Sequence, residues 1–172
     1  AIATGSIDED IGHIFQAPVL DDTNTFKASQ FSLMNDGRWA VIFGNGYNSK
    51  NEQPVLLIQY LDGAKELKKI VATGTLKATT PTSVDVIGNG LSAPKPVDIN
   101  SDGMVDVVYA GDLKGNLWKF DLSSTSASNW KVVNWGTASL CDWQTAVCYP
   151  LFTAKDAAGN RQPISAPPTV KA

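Results

Sequence analysis

Val105-Asp106-Val107-Val108-Tyr109, a glycine-containing turn at 111–116 and Leu117-Trp118-Lys119-Phe120-Asp121-Leu122 follow one another along the chain. The first segment is predicted to be a strand. The last alternates between apolar and polar side chains, which is the period of a strand with one buried face. A tight turn joins the two segments, so we expect an antiparallel hairpin. Because helical periodicity is hard to find anywhere in the chain, the expected class is all-β with antiparallel strands.

A loop rich in oxygen ligands, Asp98 to Asp106, lies directly before this hairpin. Side chains at relative positions 1, 3, 5 and 9 of such a loop can turn inward onto one hard cation, and Gly103 at position 6 allows a sharp turn. It is not a full EF-hand, because Tyr109 replaces the bidentate Glu at position 12, so Asp106 would have to close the site. An Asx turn is the alternative, but three carboxylates at this spacing would repel one another without a cation. The pattern predicts a Ca²⁺ site with the ligands Asp98, Asn100, Asp102, the backbone carbonyl of Met104, and Asp106.

The bulk composition is that of a folded domain. The chain has 172 residues, of which 43% are hydrophobic and 18% charged, enough for one domain with a core. A net charge of -3 and scattered basic residues give no sign of nucleic-acid binding. No apolar run approaches the roughly 20 residues of a transmembrane segment. Because the chain begins at Ala1 without an initiator Met, we interpret it as a fragment or a processed piece.

The pattern of strands and turns occurs more than once. Asp36 to Gly44 aligns with Asp102 to Ala110, 66 positions later. The dipeptide Ala-Pro marks the start of each unit, and it occurs at 17–18, 93–94 and 166–167. Each unit is predicted to hold four antiparallel strands, the make-up of a β-propeller blade.

We therefore expect an incomplete β-propeller of about two blades and the start of a third. The blade units are predicted at about 14–90 and 91–160, and residues 161–172 would begin the next blade. Propellers usually close with about four to eight blades, so we expect the natural protein to be longer. Trp39 to Phe43 is predicted to be a strand buried on both faces. Blade packing is the expected role of Trp39 and Trp118.

Cys141 and Cys148 enclose a short loop. A disulfide that clamps this loop is the preferred interpretation, and it would indicate an oxidising compartment. Two free thiols are the alternative. A redox pair or half a metal site fits poorly, because the spacing is not Cys-x-x-Cys and no second pair of ligands exists.

The sequence predicts no enzyme. His13 is the only histidine, which leaves little scope for a Ser-His-Asp relay, and it is interpreted as a surface or packing residue. Gly44-Asn45-Gly46 has no helix behind it, which argues against a phosphate-binding loop. Asp8-Glu9-Asp10 is interpreted as a solvated loop, with a second acidic site as the alternative. Trp143, inside the cysteine loop, is the side chain that we expect to meet a partner.

The run Val-Tyr-Ala-Gly-Asp-Leu-Lys-Gly-Asn-Leu-Trp-Lys-Phe-Asp-Leu at 108–122, with the loop before it, resembles the C-terminal propeller of the PilY1/PilC family of type IV pilus tip and biogenesis proteins. Further stretches agree with the family in the expected order, namely 39–49, 90–94, 150–154 and 162–164. The resemblance covers nearly the whole chain. It implies that the chain would be the middle part of that propeller.

The resemblance implies a secreted protein at the bacterial cell surface or pilus tip, in the outer membrane or periplasm. It implies partners among the minor pilins of the pilus tip complex and at the host-cell surface. Roles in pilus extension and retraction, twitching motility, virulence and attachment follow from the same resemblance. The family's calcium ligands carry over to the loop at 98–106. Integrin binding through Arg-Gly-Asp is not supported, because neither Arg38 nor Arg161 begins that motif.

Two other function classes remain open on the sequence alone. One is a fragment of a quinone-dependent dehydrogenase-like propeller, which shares repeated blades with Trp and Gly but needs a closed propeller and a cofactor pocket. The other is an integrin-like calcium-loop repeat that acts as a lectin or scaffold. Quinone-dependent absorbance would favour the first class. Glycan binding without binding to minor pilins would favour the second.

Overall fold

The computed structural model describes residues 8–14, 17, 19–20, 29–72, 88–135 and 149–170. These residues form two β-sheets and one short 3-10 turn at Ala127–Asn129. The predicted class, all-β with antiparallel strands, is confirmed. In this part of the chain, we find no helix with the length and apolar character needed to cross a membrane.

The first sheet contains a meander of four consecutive antiparallel strands. The strands are β1 (Phe31–Met34), β2 (Trp39–Gly44), β3 (Val55–Tyr60) and β4 (Leu67–Val71). The turn between β1 and β2 contains Gly37. Its φ of +82° lies in the left-handed region, which glycine adopts more readily than other residues. Four strands in this order make up one propeller blade.

In the second sheet, strands that follow one another in the chain are again neighbours, but the connection from its first strand to its second is longer. The remaining strands are β5 (Lys95–Val97), β6 (Met104–Val105), β7 (Val107–Gly111), β8 (Asn116–Asp121), β9 (Lys131–Val132) and β10 (Phe152–Thr153). Strands β5, β7 and β8 are antiparallel neighbours, and both β9 and β10 pair with β8. Strand β6 pairs in parallel with β1 and so extends the first sheet. The chain therefore passes from the first sheet to the second between β6 and β7, at Asp106.

One hydrophobic core draws on both sheets. Burial alternates along β8, where Trp118 and Phe120 point into the core, so the predicted half-buried strand is confirmed. Fully burying a Val, Leu, Ile or Phe side chain contributes about 1.5–3 kcal/mol. The core includes Met34, Ala40, Ile42, Leu56, Ile58, Tyr60, Val105, Val108, Ala110, Trp118 and Phe120.

The prediction that Trp39 to Phe43 is buried on both faces is wrong. Ala40 and Ile42 are buried, whereas Trp39 is 52% exposed. Only one face of β2 meets the core shared with the second sheet, so the packing role predicted for Trp39 is also wrong. Trp118 is 1% exposed, as its predicted packing role requires.

Several predicted strands are shorter than expected or interrupted. A strand is also predicted at 14–20, but the described residues in this range belong to no named strand. Beside them, His13 forms an isolated bridge with Tyr47. The sequence also predicts strands at 130–135 and 149–154, and the structure shortens these to β9 and β10. The strand predicted at 105–109 is interrupted at Asp106, which separates β6 from β7. The blade limits at 14–90, 91–160 and 161–172 stay predictions.

Candidate metal centre

The loop at 98–103 leads from β5 in the second sheet to β6, which is paired with the first. Its backbone folds around the carboxylate of Asp98. Oδ1 of Asp98 accepts hydrogen bonds from the amides of Ser101 at 2.7 Å and Asp102 at 3.3 Å. Its Oδ2 accepts from the amide of Gly103 at 2.7 Å. Asp commonly stabilises turns by accepting such bonds from amides that follow it.

The turn requires two residues in the left-handed region. Ser101 has a φ of +64° and Gly103 a φ of +88°. A Cβ on Gly103 would meet nothing within 4 Å, so conformation, and not space, favours glycine here. This is the sharp turn that the sequence predicts at the sixth position of the loop.

Asn100 and Asp102 form the exposed tip of the loop. The Asn100 Nδ2 group donates to Oδ2 of Asp102 at 3.0 Å, and the Asp102 amide donates to Oδ1 of Asn100, also at 3.0 Å. Oδ1 of Asp102 accepts from the amide of Met104 at 2.8 Å. The two side chains are thus held against each other on one side of the loop.

Asp106 closes the loop from the far end. Its side chain is buried, with 6% exposure, and its Oδ2 accepts from the amide of Ile99 at 2.8 Å. Its own amide donates to the carbonyl of Val97 at 3.0 Å, and its carbonyl accepts from the amide of Leu122 at 2.8 Å. The backbone bonds fix Asp106 to the neighbouring strands, while its carboxylate reaches back to the start of the loop.

The donor set suits calcium in kind, since calcium prefers carboxylate, amide and backbone oxygens. An ionised carboxylate has about four acceptor positions. The amide bonds described above therefore leave acceptor capacity on all three Asp side chains. Among the residues that the structure describes, however, no three His, Cys, Asp or Glu side chains lie together as a ready metal cluster. Calcium would have to draw the carboxylates of the loop closer to one another.

Asn35, on the turn between β1 and β2, contacts the end of this loop and was not singled out by the sequence. Its Nδ2 donates to the carbonyls of Val105 at 2.9 Å and Leu122 at 3.0 Å, and lies 3.4 Å from Oδ1 of Asp106. The paired strands β1 and β6 lie next to these bonds, with Met34 opposite Val105. The candidate metal loop is therefore part of the joint between the two sheets.

The other residues singled out by the sequence lie elsewhere or outside the described residues. His13 is exposed and forms the bridge to Tyr47. Cys141, Cys148 and Trp143 lie outside the described residues, so the disulfide and the partner contact stay predictions. Comparing intact masses of the unreduced and reduced chain would test the disulfide.

The acidic stretch at 8–10 is tied down by lysines. Lys69 Nζ lies 3.0 Å from Asp8 and 2.9 Å from Asp10, and Lys50 pairs with Glu9. Burial alone would raise the pKa of the Asp10 carboxyl, but hydrogen bonds from Lys69 and the side-chain amides of Asn51 and Gln53 bring its pKa below the ordinary value. The stretch thus fastens the described N-terminal segment to the first sheet.

Two buried polar residues at equivalent places were also missed. Asn45 follows the last residue of β2, and all its hydrogen-bonding groups have partners. Its Nδ2 donates to the carbonyls of Asp10 and Gln53, at 2.7 and 2.9 Å. Its Oδ1 accepts from the amides of Val55 and Leu91, at 3.0 and 2.9 Å. One side chain thereby connects the N-terminal segment, the first sheet and the approach to the second sheet.

Asp112 occupies the corresponding place after β7 and has no solvent exposure. Its Oδ1 accepts from the amides of Lys114 and Asn116, at 2.9 and 2.8 Å. Its Oδ2 accepts side-chain N–H bonds at 2.8–3.0 Å from Asn89, Asn116 and Trp118. The carbonyl of Asp112 also accepts from the amide of Ile164 at 3.0 Å. The pairs Gly44-Asn45 and Gly111-Asp112 were the available sequence signal, 67 positions apart.

Residues 18–172 match the family model described as the PilY1 beta-propeller domain. The chain is 34% identical to the type IV pilus biogenesis factor PilY1 of Pseudomonas aeruginosa strain PAO1, over 94% of this chain and 12% of that protein. It is 39% identical to a PilY1 homolog of Xylella fastidiosa strain Temecula1, over 77% of this chain and 8% of that protein. The chain thus spans about an eighth or less of the length of these relatives.

A solved structure gives the same assignment of fold. The crystal structure of the Pseudomonas aeruginosa PilY1 C-terminal domain superimposes with a TM-score of 0.67 at 34% sequence identity. The match covers 94% of this chain and 30% of that domain. At this identity and coverage, the likeness concerns the order of the strands as well as their class.

Proposed function

The chain belongs to the PilY1 β-propeller family, and from this premise we propose that it is a calcium-binding segment of a type IV pilus biogenesis factor. The segment is non-catalytic in this proposal, and its relatives are named biogenesis factors. Trp118, one of the tryptophans that a quinone site could have used, is buried and bonded to Asp112. This use of Trp118 favours a structural role over the dehydrogenase alternative.

The observation that supports calcium binding is the concentration of oxygen ligands in one nine-residue loop. Asp98, Asp102 and Asp106 would supply carboxylates, Asn100 an amide oxygen and Met104 its carbonyl. Ser101 and Gly103 both have a positive φ, as the sharp turn of such a loop requires. When bound, calcium would supply a double positive charge that offsets the mutual repulsion of the three carboxylates.

For the whole protein, the proposal places this segment at the bacterial cell surface or pilus tip after secretion. Its partners would be minor pilins, and it would support pilus extension and retraction, twitching motility, virulence, and attachment to surfaces or host cells. The names of the relatives and the family match support this proposal.

Purified minor pilins should be retained by the immobilised chain in the presence of calcium. If the chain does not retain them, the proposal that this segment binds minor pilins is wrong.

We expect the 172-residue chain to bind calcium saturably in isothermal titration calorimetry. The double variant Asp98→Ala/Asp106→Ala should lose at least about 100-fold in affinity, because removing the ligands themselves should exceed the 10- to 100-fold effect of losing a supporting group. Ile99→Ala is the matched control, since Ile99 is 64% exposed and its side chain has no oxygen. Equal affinities for the double variant and the unaltered chain would contradict the ligand assignment.

Calcium should also stabilise the fold. A ligand at 100 times its dissociation constant that binds only the folded state raises the free energy of unfolding by about 2.7 kcal/mol. Urea unfolding in calcium and in chelator should show this difference for the unaltered chain and for Ile99→Ala. The Asp98→Ala/Asp106→Ala variant should unfold at the same urea concentration in both conditions. A calcium effect retained in that variant would point to a second site.

A further inference from the structure

The candidate metal loop is held by both sheets. The loop begins after β5 in the second sheet, and Asp106 is bonded to Val97 there. Two residues earlier it passes through β6, which pairs with β1 of the first sheet, Leu33 opposite Met104 and Met34 opposite Val105. Any change in how the two sheets meet would therefore move Met104 and Val105 relative to Asp106, which is bonded to the second sheet.

Asn35 is the side chain that ties these parts together. A carboxamide NH₂ has two hydrogens to donate, and those of Asn35 have the carbonyls of Val105 and Leu122 as near partners, at 2.9 and 3.0 Å. The Asp106 carboxylate lies at 3.4 Å from the same nitrogen. Asn35 thus fixes Val105, which stands directly between the two proposed ligands Met104 and Asp106.

We propose that calcium binding and the contact between the two sheets are thermodynamically coupled, with Asn35 as the positioning residue. This inference rests on the proposed calcium function. Calcium would fix the Met104 carbonyl and the Asp106 carboxylate, while β1 and Asn35 fix the residue between them. Calcium binding and the sheet contact each reduce the conformational entropy of residues 104–106. Whichever forms second therefore has less conformational entropy to lose, which gives positive coupling. Coupling is reciprocal, so the sheet contact raises calcium affinity by the factor by which calcium strengthens the contact.

Two measurements test the coupling. In calorimetry, Asn35→Ala should weaken calcium binding by at least about fivefold, the lower end of typical coupling between sites. In hydrogen exchange followed by mass spectrometry, calcium should slow exchange in the peptides that contain β1 and β6 of the unaltered chain. In Asn35→Ala, calcium should slow exchange less, and the reduction in this effect should equal the factor by which the variant loses calcium affinity. A residue with a merely structural role would lower protection equally with and without calcium.

The matched control is Asn129→Ala, which removes an exposed carboxamide from the 3-10 turn and should leave both measurements unchanged. If the unaltered chain binds no calcium, the proposed function and the coupling both fail. If it binds calcium and Asn35→Ala binds equally well, the coupling alone fails. If Asn35→Ala does not fold, exchange in the unaltered chain decides, because unchanged protection of β1 on adding calcium overturns the proposal.

Discussion

Replacing Asp112 with alanine is expected to lower the free energy of unfolding by about 3–5 kcal/mol, the range for removing one partner from a buried charged network. The Asp112 carboxylate accepts from two backbone amides and three side-chain N–H groups. Each buried donor left without a partner costs about 1–3 kcal/mol, and water that enters the space would recover part of this loss. The loss should be shared by both sheets, because Asn89 precedes the second sheet and Trp118 is part of the common core.

Urea unfolding monitored by tryptophan fluorescence measures the effect. Asp121→Ala is the matched control, because Asp121 lies at the end of the same hairpin and is only half-buried. Its carboxylate accepts hydrogen bonds from the amide and the hydroxyl of Ser123. The free energy of unfolding of Asp121→Ala should fall by no more than about 1 kcal/mol, the net value of an ordinary hydrogen bond. Similar losses for the two variants would show that Asp112 is not the structural centre of the hairpin.

The hairpin β7–β8 could be predicted because its own residues determine it. Alternation from Leu117 to Leu122 identifies the buried face, and the turn residues limit the possible connections. The resemblance to the PilY1/PilC family, carried by these residues and by shorter motifs, is confirmed by the match over 18–172. Local pattern was therefore sufficient for the class of fold and for the family.

The alignment of the two repeats was correct at the turns and wrong by one residue at the strand ends. Sequence similarity pairs Gly44 with Ala110, whereas β2 ends at Gly44 and β7 ends at Gly111. Asp106 accounts for the difference, since it stands between β6 and β7 and adds one residue to the second unit. The shift conceals the equivalence of Asn45 and Asp112, both of which hold successive segments of the chain together.

Long-range contacts account for the other errors. The apolar run at Trp39 to Phe43 predicts burial on two faces, but sequence pattern does not reveal whether a neighbour covers the second face. The contacts of Asn35 depend on how β1 and β6 meet, and these strands are about 70 residues apart in the chain, as the hydrogen bond from Asn35 to Val105 shows. No local pattern carries that information. The loop at 98–106 could be proposed from the sequence because all its ligands are close in sequence.

Gly44→Ala is expected to destabilise the fold by about 3 kcal/mol, at the upper end for adding an atom to a closely packed site. A Cβ on Gly44 would lie 2.1 Å from the carbonyl oxygen of Ser92 and 2.5 Å from that of Leu91. Both are backbone atoms, so no side-chain rotation relieves the contact, and the segment leading to the second sheet has to move. The amide of Leu91 donates to Asn45, and its carbonyl accepts from Gly46, so the displacement would weaken these bonds too.

Gly37→Ala is the matched comparison for Gly44→Ala. A Cβ on Gly37 would meet nothing within 4 Å, and only its φ of +82° opposes a side chain, at a cost of about 1–2 kcal/mol. Both substitutions reduce the freedom of the unfolded chain by the same amount, so this contribution cancels when the two variants are compared in urea. The difference between them is therefore the cost of the close approach at Gly44 less the cost of the positive φ at Gly37. A larger loss in Gly37→Ala would mean that the segment carrying Leu91 and Ser92 yields easily, and that the joint between the sheets depends on side chains such as Asn35 and Asn45.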